Sequence, residues 1–259
     1  SNISNNIHST AIVDASVNLG KEVEIGAYTV IESDVTIGNH TVIGNHATIS
    51  SGTTIGNDCK IFHSASIGAV PQDLKYDDEK THVIIGDRTI IREFVTINKG
   101  TVVSGKTIVG SDCLFMAYVH IAHDCIIGNH VIMSNLATLG GHVTIDDWAI
   151  LSGGVLVHQF CKIGAHAFVG AGGFVAQDVP PFILAAGSPL EYNGINSVGL
   201  KRRGFSNEDR QEIKKIYKIF FRSNNNRKKN LDKMKAEFSS SESAVIINDF
   251  ILTSERGII

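Results

Sequence analysis

Aliphatic side chains recur at every sixth position of this 259-residue chain, in a phase that holds from residue 7 to residue 175. The series opens Ile7, Val13, Leu19, Ile25, Ile31 and closes Leu151, Val157, Ile163, Val169, Val175. Of its 29 positions only Asp73 and Glu79 are polar, in a chain that is 43% hydrophobic overall. At that composition chance would fill fewer than half of them. A period of six is neither the 3.6 of a helix nor the simple alternation of a strand. It fits a parallel β-helix, in which each six-residue repeat makes one side of a triangular coil. Three repeats, about 18 residues, close one coil, and coils stack roughly 4.8 Å apart.

A second inward column supports this. Four residues after each aliphatic comes a small or branched residue: Ala11, Val17, Val23, Thr29, Val35, Thr41, Ala47, Thr53, Cys59, Ala65. The even spacing puts both columns on the inner face of a strand. Glycine often follows the aliphatic, as at Gly20, Gly38, Gly56, Gly110 and Gly128. Its freedom in φ is expected to serve the corner there. All four cysteines, Cys59, Cys113, Cys125 and Cys161, fall on the small inward column. Cys125 and Cys161 share a column two coils apart, roughly 9–10 Å by the strand spacing, too far for a disulfide. They are expected to be buried free thiols in a reducing compartment, which points to the cytoplasm. No run approaches the roughly 20 apolar residues of a membrane span, and no signal-peptide pattern opens the chain.

The repeat is expected to cover residues 7–178, with excursions at 69–82 and around 98–107. The first contains both polar hexad positions. In the second, Val103 keeps phase although a loop's length should be free to vary. Gln177-Asp178-Val179-Pro180-Pro181 ends the repeat, because proline cannot donate to a ladder. Irregular chain follows to about Gly204. Ser206 then caps a helix, with Asp209 completing the capping box and Ile213, Ile216, Tyr217 and Phe220 as its apolar stripe. SNNNRKKN breaks it, and two more helices are expected at 230–238 and 242–254. The expected division is a β-helix domain over 1–190 and a helical domain over 191–259. The net charge of −3 conceals a split: residues 201–235 hold 13 basic and 4 acidic residues, net +9, and the remainder nets −12. That asymmetry suggests an anionic partner for the helical part, or else a solvated helix face. Nucleic acid is a poor fit, because few aromatics interleave with the basic residues.

The coil register sorts the eleven histidines. His40, His130 and His166 share a column and read as a solvated corner. His120, His123, His142 and His158 fall within a five-residue window on three consecutive coils, beside Asp124, Gly140, Gly141 and Gln159. Four imidazoles on one face, next to glycines that let a substrate approach the backbone, point to a site. Two chemistries fit. An imidazole oriented by Asp124 can act as general base, with a glycine N–H stabilising an oxyanion; alternatively, three histidines can hold a metal.

The motifs QDLKY (72–76), IREFVTINKGT (91–101), HIAHDC (120–125), GGH (140–142), VHQFCKIGAH (157–166), AQDVPPF (176–182) and GLKRRGFS (199–206) carry a resemblance to the acyl-carrier-protein-dependent UDP-N-acetylglucosamine O-acyltransferases, which open lipid A biosynthesis. It spans nearly the whole chain. The resemblance implies a homotrimer of left-handed parallel β-helices with active sites between subunits. It implies transfer of an (R)-3-hydroxyacyl chain from acyl carrier protein to the sugar 3-hydroxyl, with no cofactor and no metal. His123 matches the general base, Asp124 its partner and Gly141 the oxyanion amide. His120, His142, His158 and Gln159 match residues lining the sugar and acyl site. Asp73 and Lys75 match substrate-binding residues, and Asn196, Arg202 and Arg203 match groups near the uridine diphosphate. The basic tail suits an acidic carrier protein. Three positions depart from common family choices. Ala171 stands where glycine or a bulky residue sets acyl length, Pro189 where some members have a histidine, and Val198 where some carry an acid.

Rival readings remain. An N-acyltransferase of the same pathway would carry an extra uridine-binding domain, which is not seen in this sequence. Acetyl-CoA-dependent sugar acetyltransferases lack QDLKY and the basic tail. A zinc-dependent β-helix enzyme would resemble the β-helix carbonic anhydrases, and an ice-binding β-helix would show threonine ladders.

Overall fold

The computed structural model describes residues 4–221, 226–239 and 241–259. The fold is a left-handed parallel β-helix followed by a small helical region, as the hexad predicts. Most strands are two residues long, and they stack into three sheets of 11, 9 and 8 strands. We call these faces one, two and three, in the order the chain first meets them. Both inward columns are buried: in one coil Val119, Ile121, Cys125 and Ile127 are each at most 1% exposed. Burying each such aliphatic contributes roughly 1.5–3 kcal/mol, so the core is a continuous rod. All four cysteines are buried free thiols.

Both excursions are present, and their lengths explain why the phase survives them. Ile61 pairs with Ile91, 30 residues on, and Ile85 pairs with Val109, 24 residues on, where other coils repeat at 18. The insertions are therefore two hexads and one hexad. Val103 keeps phase without being inward: it is 74% exposed.

The role expected for the glycines is corrected. Where a coil corner has this glycine, the left-handed residue lies two positions after it and is seldom glycine itself: His40 (φ 56°), His130 (φ 57°) and His166 (φ 59°) are examples. The glycines are there for space. A Cβ on Gly128 would lie 2.3 Å from Oδ1 of Asp147, and one on Gly38 would lie 2.6 Å from Oδ1 of Asn57. Those oxygens cap the N–H of the residue after the glycine, one coil below: Asn129 N donates to Asp147 Oδ1 (2.7 Å) and Asn39 N to Asn57 Oδ1 (2.8 Å). The ladder continues through Asn57, Asp87 and Ser111.

Beyond the repeat, Ile183–Ala186 and Glu191–Ile195 form an antiparallel hairpin that extends face one. The sequence pattern predicts irregular chain here. It also misses a short helix α1 (Ser197–Arg202) capped by Asn196. Helix α2 (Asn207–Phe220) has the expected Ser206–Asp209 capping box and buries Ile213, Ile216, Tyr217 and Phe220. Helices α3 (Arg227–Glu237) and α4 (Glu242–Leu252) complete the region. The expected break at Ser223–Asn225 lies outside the described residues. No helix among those described is long and apolar enough to cross a membrane.

Candidate active site

The corner between faces two and three carries the predicted cluster. His120 lies on a face-two strand, and the chain turns at Asp124, whose φ of 60° is left-handed. One coil above, His142 occupies the same corner with the same φ, so it stacks over Asp124. The carboxylate lies 2.7 Å from His123 Nδ1 and 3.6 Å from His142 Nε2, and the two rings meet edge to face at 5.1 Å. Phe160 stacks on His142 at 4.4 Å from the coil above. His120 is held by Thr96, whose Oγ1 lies 2.7 Å from its Nδ1. Burial and the neighbouring His123 hold the His120 imidazole below its ordinary pKa.

The side chain of Asp124 is wholly buried. Thr101 N and Ser104 Oγ donate to Oδ1, and Thr101 Oγ1 donates to Oδ2. The second excursion is thus clamped onto Asp124, a role the sequence reading missed. Burial works to raise its pKa, but hydrogen bonds from Ser104, Thr101 and His123 outweigh it and bring the pKa to about 2. A permanent carboxylate at Nδ1 keeps that nitrogen protonated and leaves Nε2 of His123 as the basic atom.

Gly141 sits above the His123 ring. At the corner between faces three and one the N–H at this point of the hexad is capped by a side chain from the coil above, as Asp147 caps Asn129. Here Gln159 would supply the cap, but it is exposed and its side chain makes no hydrogen bond among the described residues. Gly141 is a buried residue, and its N–H has no hydrogen-bond partner among the described residues. Buried orphan N–H groups are rare, and one beside a basic imidazole is placed to receive a developing negative oxygen.

His123, Asp124 and His142 could offer one ligand atom each to a metal within 4.8 Å of one another. The hydrogen bonds already made to both oxygens of Asp124 argue against that use, since a metal would have to displace them.

Not every expected residue joins the cluster. His158 lies on the next coil, directly after the face-two strand Leu156–Val157, with Phe174–Val175 one coil above it. Asp73 and Lys75 sit in the first excursion, where Lys75 N donates to Asp73 Oδ1 at 3.0 Å. No described hydrogen bond or ion pair links either to the histidines. Asn196 and Arg203 gather at a different corner, between faces three and one. Asn196 Nδ2 donates to His166 O at 2.9 Å, and Arg203 Nη1 donates to His166 Nδ1 at 3.2 Å. The Arg203 guanidinium also lies 5.2 Å over Trp148, while Arg202 is exposed. The solvated-corner reading holds for His40, which is half exposed between Glu22 and Asp58. It fails for His166, packed against Phe205, Phe182 and Trp148. The signal was Phe205 and Arg203 in GLKRRGFS, which only the tertiary fold brings to that column. Ala171 is exposed in the turn between faces one and two, Val198 is exposed on α1, and Pro189 follows a cis bond in the hairpin.

The hexapeptide-repeat β-helix places the chain among the hexapeptide-repeat acyltransferases. The bacterial transferase hexapeptide model matches residues 16–51 and 106–141, and the UDP N-acetylglucosamine O-acyltransferase domain 2 model matches 178–259. The acyl-[acyl-carrier-protein]–UDP-N-acetylglucosamine O-acyltransferase of Herminiimonas arsenicoxydans is 52% identical over 262 residues, covering 98% of each chain. That of Thiobacillus denitrificans is 47% identical over 254 residues with the same coverage. Among solved structures, LpxA from Acinetobacter baumannii superposes with a TM-score of 0.95 at 40% identity, covering 98% of this chain and 99% of that one. LpxA from Bacteroides fragilis gives 0.95 at 44%, covering 97% and 99%. The chain belongs to the acyl-[acyl-carrier-protein]–UDP-N-acetylglucosamine O-acyltransferase family.

Proposed function

We propose that this chain transfers an (R)-3-hydroxyacyl group from acyl carrier protein to the 3-hydroxyl of UDP-N-acetylglucosamine, the first step of lipid A biosynthesis. The observation that carries the reading is the unpartnered Gly141 N–H beside a histidine held by a buried carboxylate. His123 Nε2 takes the proton of the sugar hydroxyl as its oxygen attacks the thioester carbonyl. The oxyanion is held by the Gly141 N–H. Collapse breaks the carbon–sulfur bond, and the departing thiolate takes the proton back from His123. No cofactor is consumed. His120, His142, His158 and Gln159 line the sugar and the acyl group. The chain then runs up face two along exposed Leu156 and Phe174, towards Ala171 in the adjoining turn. The β-helix over 1–190 carries the chemistry, and the basic helical part over 191–259 receives the acidic carrier protein in the cytoplasm.

The same reading requires a homotrimer. Asn196, Arg202 and Arg203, assigned to the nucleotide, sit away from the histidine corner, and so does the loop of Asp73 and Lys75. Neighbouring subunits would bring them together. Face one supports this with an outward ladder of Ile90, Leu114, Ile132, Ile150 and Phe168, and Leu74 is fully exposed at the loop tip.

The test is a mass-spectrometric transfer assay with carrier proteins charged with several chain lengths, run on wild type and His123→Ala. Wild type is expected to acylate the sugar nucleotide, and His123→Ala to lose about 10²–10⁴ in turnover. A His123→Ala enzyme at wild-type rate would overturn the mechanism. No acylated sugar nucleotide with any chain would overturn the reaction.

A further inference from the structure

The last residues of the chain return to the coil beside the site. Asp178 is fully buried and acts as their anchor. Its N–H donates to Gly257 O (2.7 Å), its carbonyl accepts from Ile259 N (3.2 Å), and its Oδ2 accepts from Ser254 Oγ (2.6 Å). Lys162 Nζ holds Thr253 O at 2.8 Å, and Arg227 Nη1 holds Ile258 O at 3.1 Å. Gly257 takes the left-handed φ of 77° that turns the tail onto Asp178. Arg256 is thus pinned on both sides, and its Nη2 lies 3.1 Å from Nδ1 of His158.

We propose that the C-terminal tail is part of the active site, with Arg256 a positioning residue that holds His158 with its proton on Nε2. The inference rests on the reading that His158 lines the site. A guanidinium only donates hydrogen bonds, so the nitrogen facing it must accept. The carbonyl of Gln159 competes for the same Nδ1 at 3.0 Å, and it would need the proton there. A charge-assisted hydrogen bond is about twice as strong as a neutral one, so Arg256 decides the tautomer. The consequence is an Nε2–H donor held in a fixed ring orientation, ready for an acceptor oxygen on the acyl or sugar substrate. Without Arg256 the ring turns its proton to Gln159 O, and Nε2 becomes an acceptor.

The test uses the full chain with ¹⁵N-labelled histidine. Two-bond ¹⁵N–¹H correlations are expected to show the His158 proton on Nε2 in wild type and on Nδ1 in Arg256→Met. Arg256→Met is expected to lower kcat roughly tenfold, the scale of one charged orienting hydrogen bond, and Arg256→Lys to recover part of it. In a His158→Phe background Arg256→Met should change kcat no further. An unchanged tautomer, or the same loss in that background, overturns the proposal. If Arg256→Met does not fold, the strained Gly257→Val variant displaces the tail with the guanidinium retained, and the same spectrum decides. His158→Phe at the wild-type rate would sink the assignment of His158 to the site, while the tautomer measurement would still stand on its own.

Discussion

A Cβ placed on Gly141 would lie 2.6 Å from Cε1 and 2.7 Å from Nε2 of His123. Atoms that close must move, and the ring has little freedom because Asp124 holds its other nitrogen. The backbone that carries the amide assigned to the oxyanion can thus lie against the imidazole only because no methyl group stands between them. Gly141→Ala is expected to fold and to lose about 10²-fold in turnover, the scale of a 1 Å misplacement of reacting groups. Steady-state rates beside a thermal melt check this; turnover within twofold of wild type would mean that the close packing has no catalytic use.

Asp124 has two duties that one substitution separates from simple charge loss. It orients His123 and anchors the loop through Thr101 and Ser104. Asp124→Asn puts an NH₂ group among donors, so at least one hydrogen bond to a buried group is lost, about 1.5–3 kcal/mol when that group is charged. Turnover should fall at least about tenfold, and hydrogen exchange over residues 99–105 should quicken. If turnover falls but exchange over that loop does not change, Asp124 is not what holds it.

The coil was legible because its period is dictated by burial: two inward columns must be apolar whatever else the chain does, and hexad counting finds them. The stacking of His142 over Asp124 was legible for the same reason, since it needs only the coil length. What the count could not reach was contact between segments of different period. Thr101 and Ser104 reach Asp124 from the excursion expected at 98–107, whose position the sequence marks but whose partner it does not. His166 looked like a corner residue until Phe205 and Arg203 arrived from beyond the repeat. Arg256 met His158 across 98 residues of sequence. The Gly141 amide was expected as an oxyanion donor, but that it lacks a partner shows only in the hydrogen bonds of the folded chain.

The proposed mechanism uses no metal, while His123, Asp124 and His142 could be mistaken for a metal-binding triad. Dialysis against a strong chelator is expected to leave turnover within about twofold of the starting value, because general-base catalysis needs only the imidazole. Added zinc should inhibit if it binds at all, since it would occupy His123 Nε2 or displace Asp124's hydrogen bonds. Activity abolished by the chelator and restored by zinc would favour the metal reading instead.

His166 gives the fold a pH dependence whose sign follows from its surroundings. Burial first, and then the charge of Arg203, lower its pKa from 6.5 to about 4. The unfolded chain therefore takes up a proton near pH 6.5 that the folded chain refuses until about 4. Stability from this group is fully present above about 6.5 and is lost as pH falls from there to about 4, by up to one proton's worth of slope. His120 is shifted in the same direction and adds to it. Asp124 acts in a lower window: its depressed pKa contributes stability above about 3.8 that is lost as pH falls towards 2. Melting temperature should thus be flat above neutrality and decline below about 6.5. His166→Phe keeps an aromatic ring against Phe182 and Trp148 while removing the titrating nitrogen. It should flatten the decline between about 6.5 and 4 and leave the lower window untouched. An equal slope in variant and wild type would show that His166 is not the group responsible.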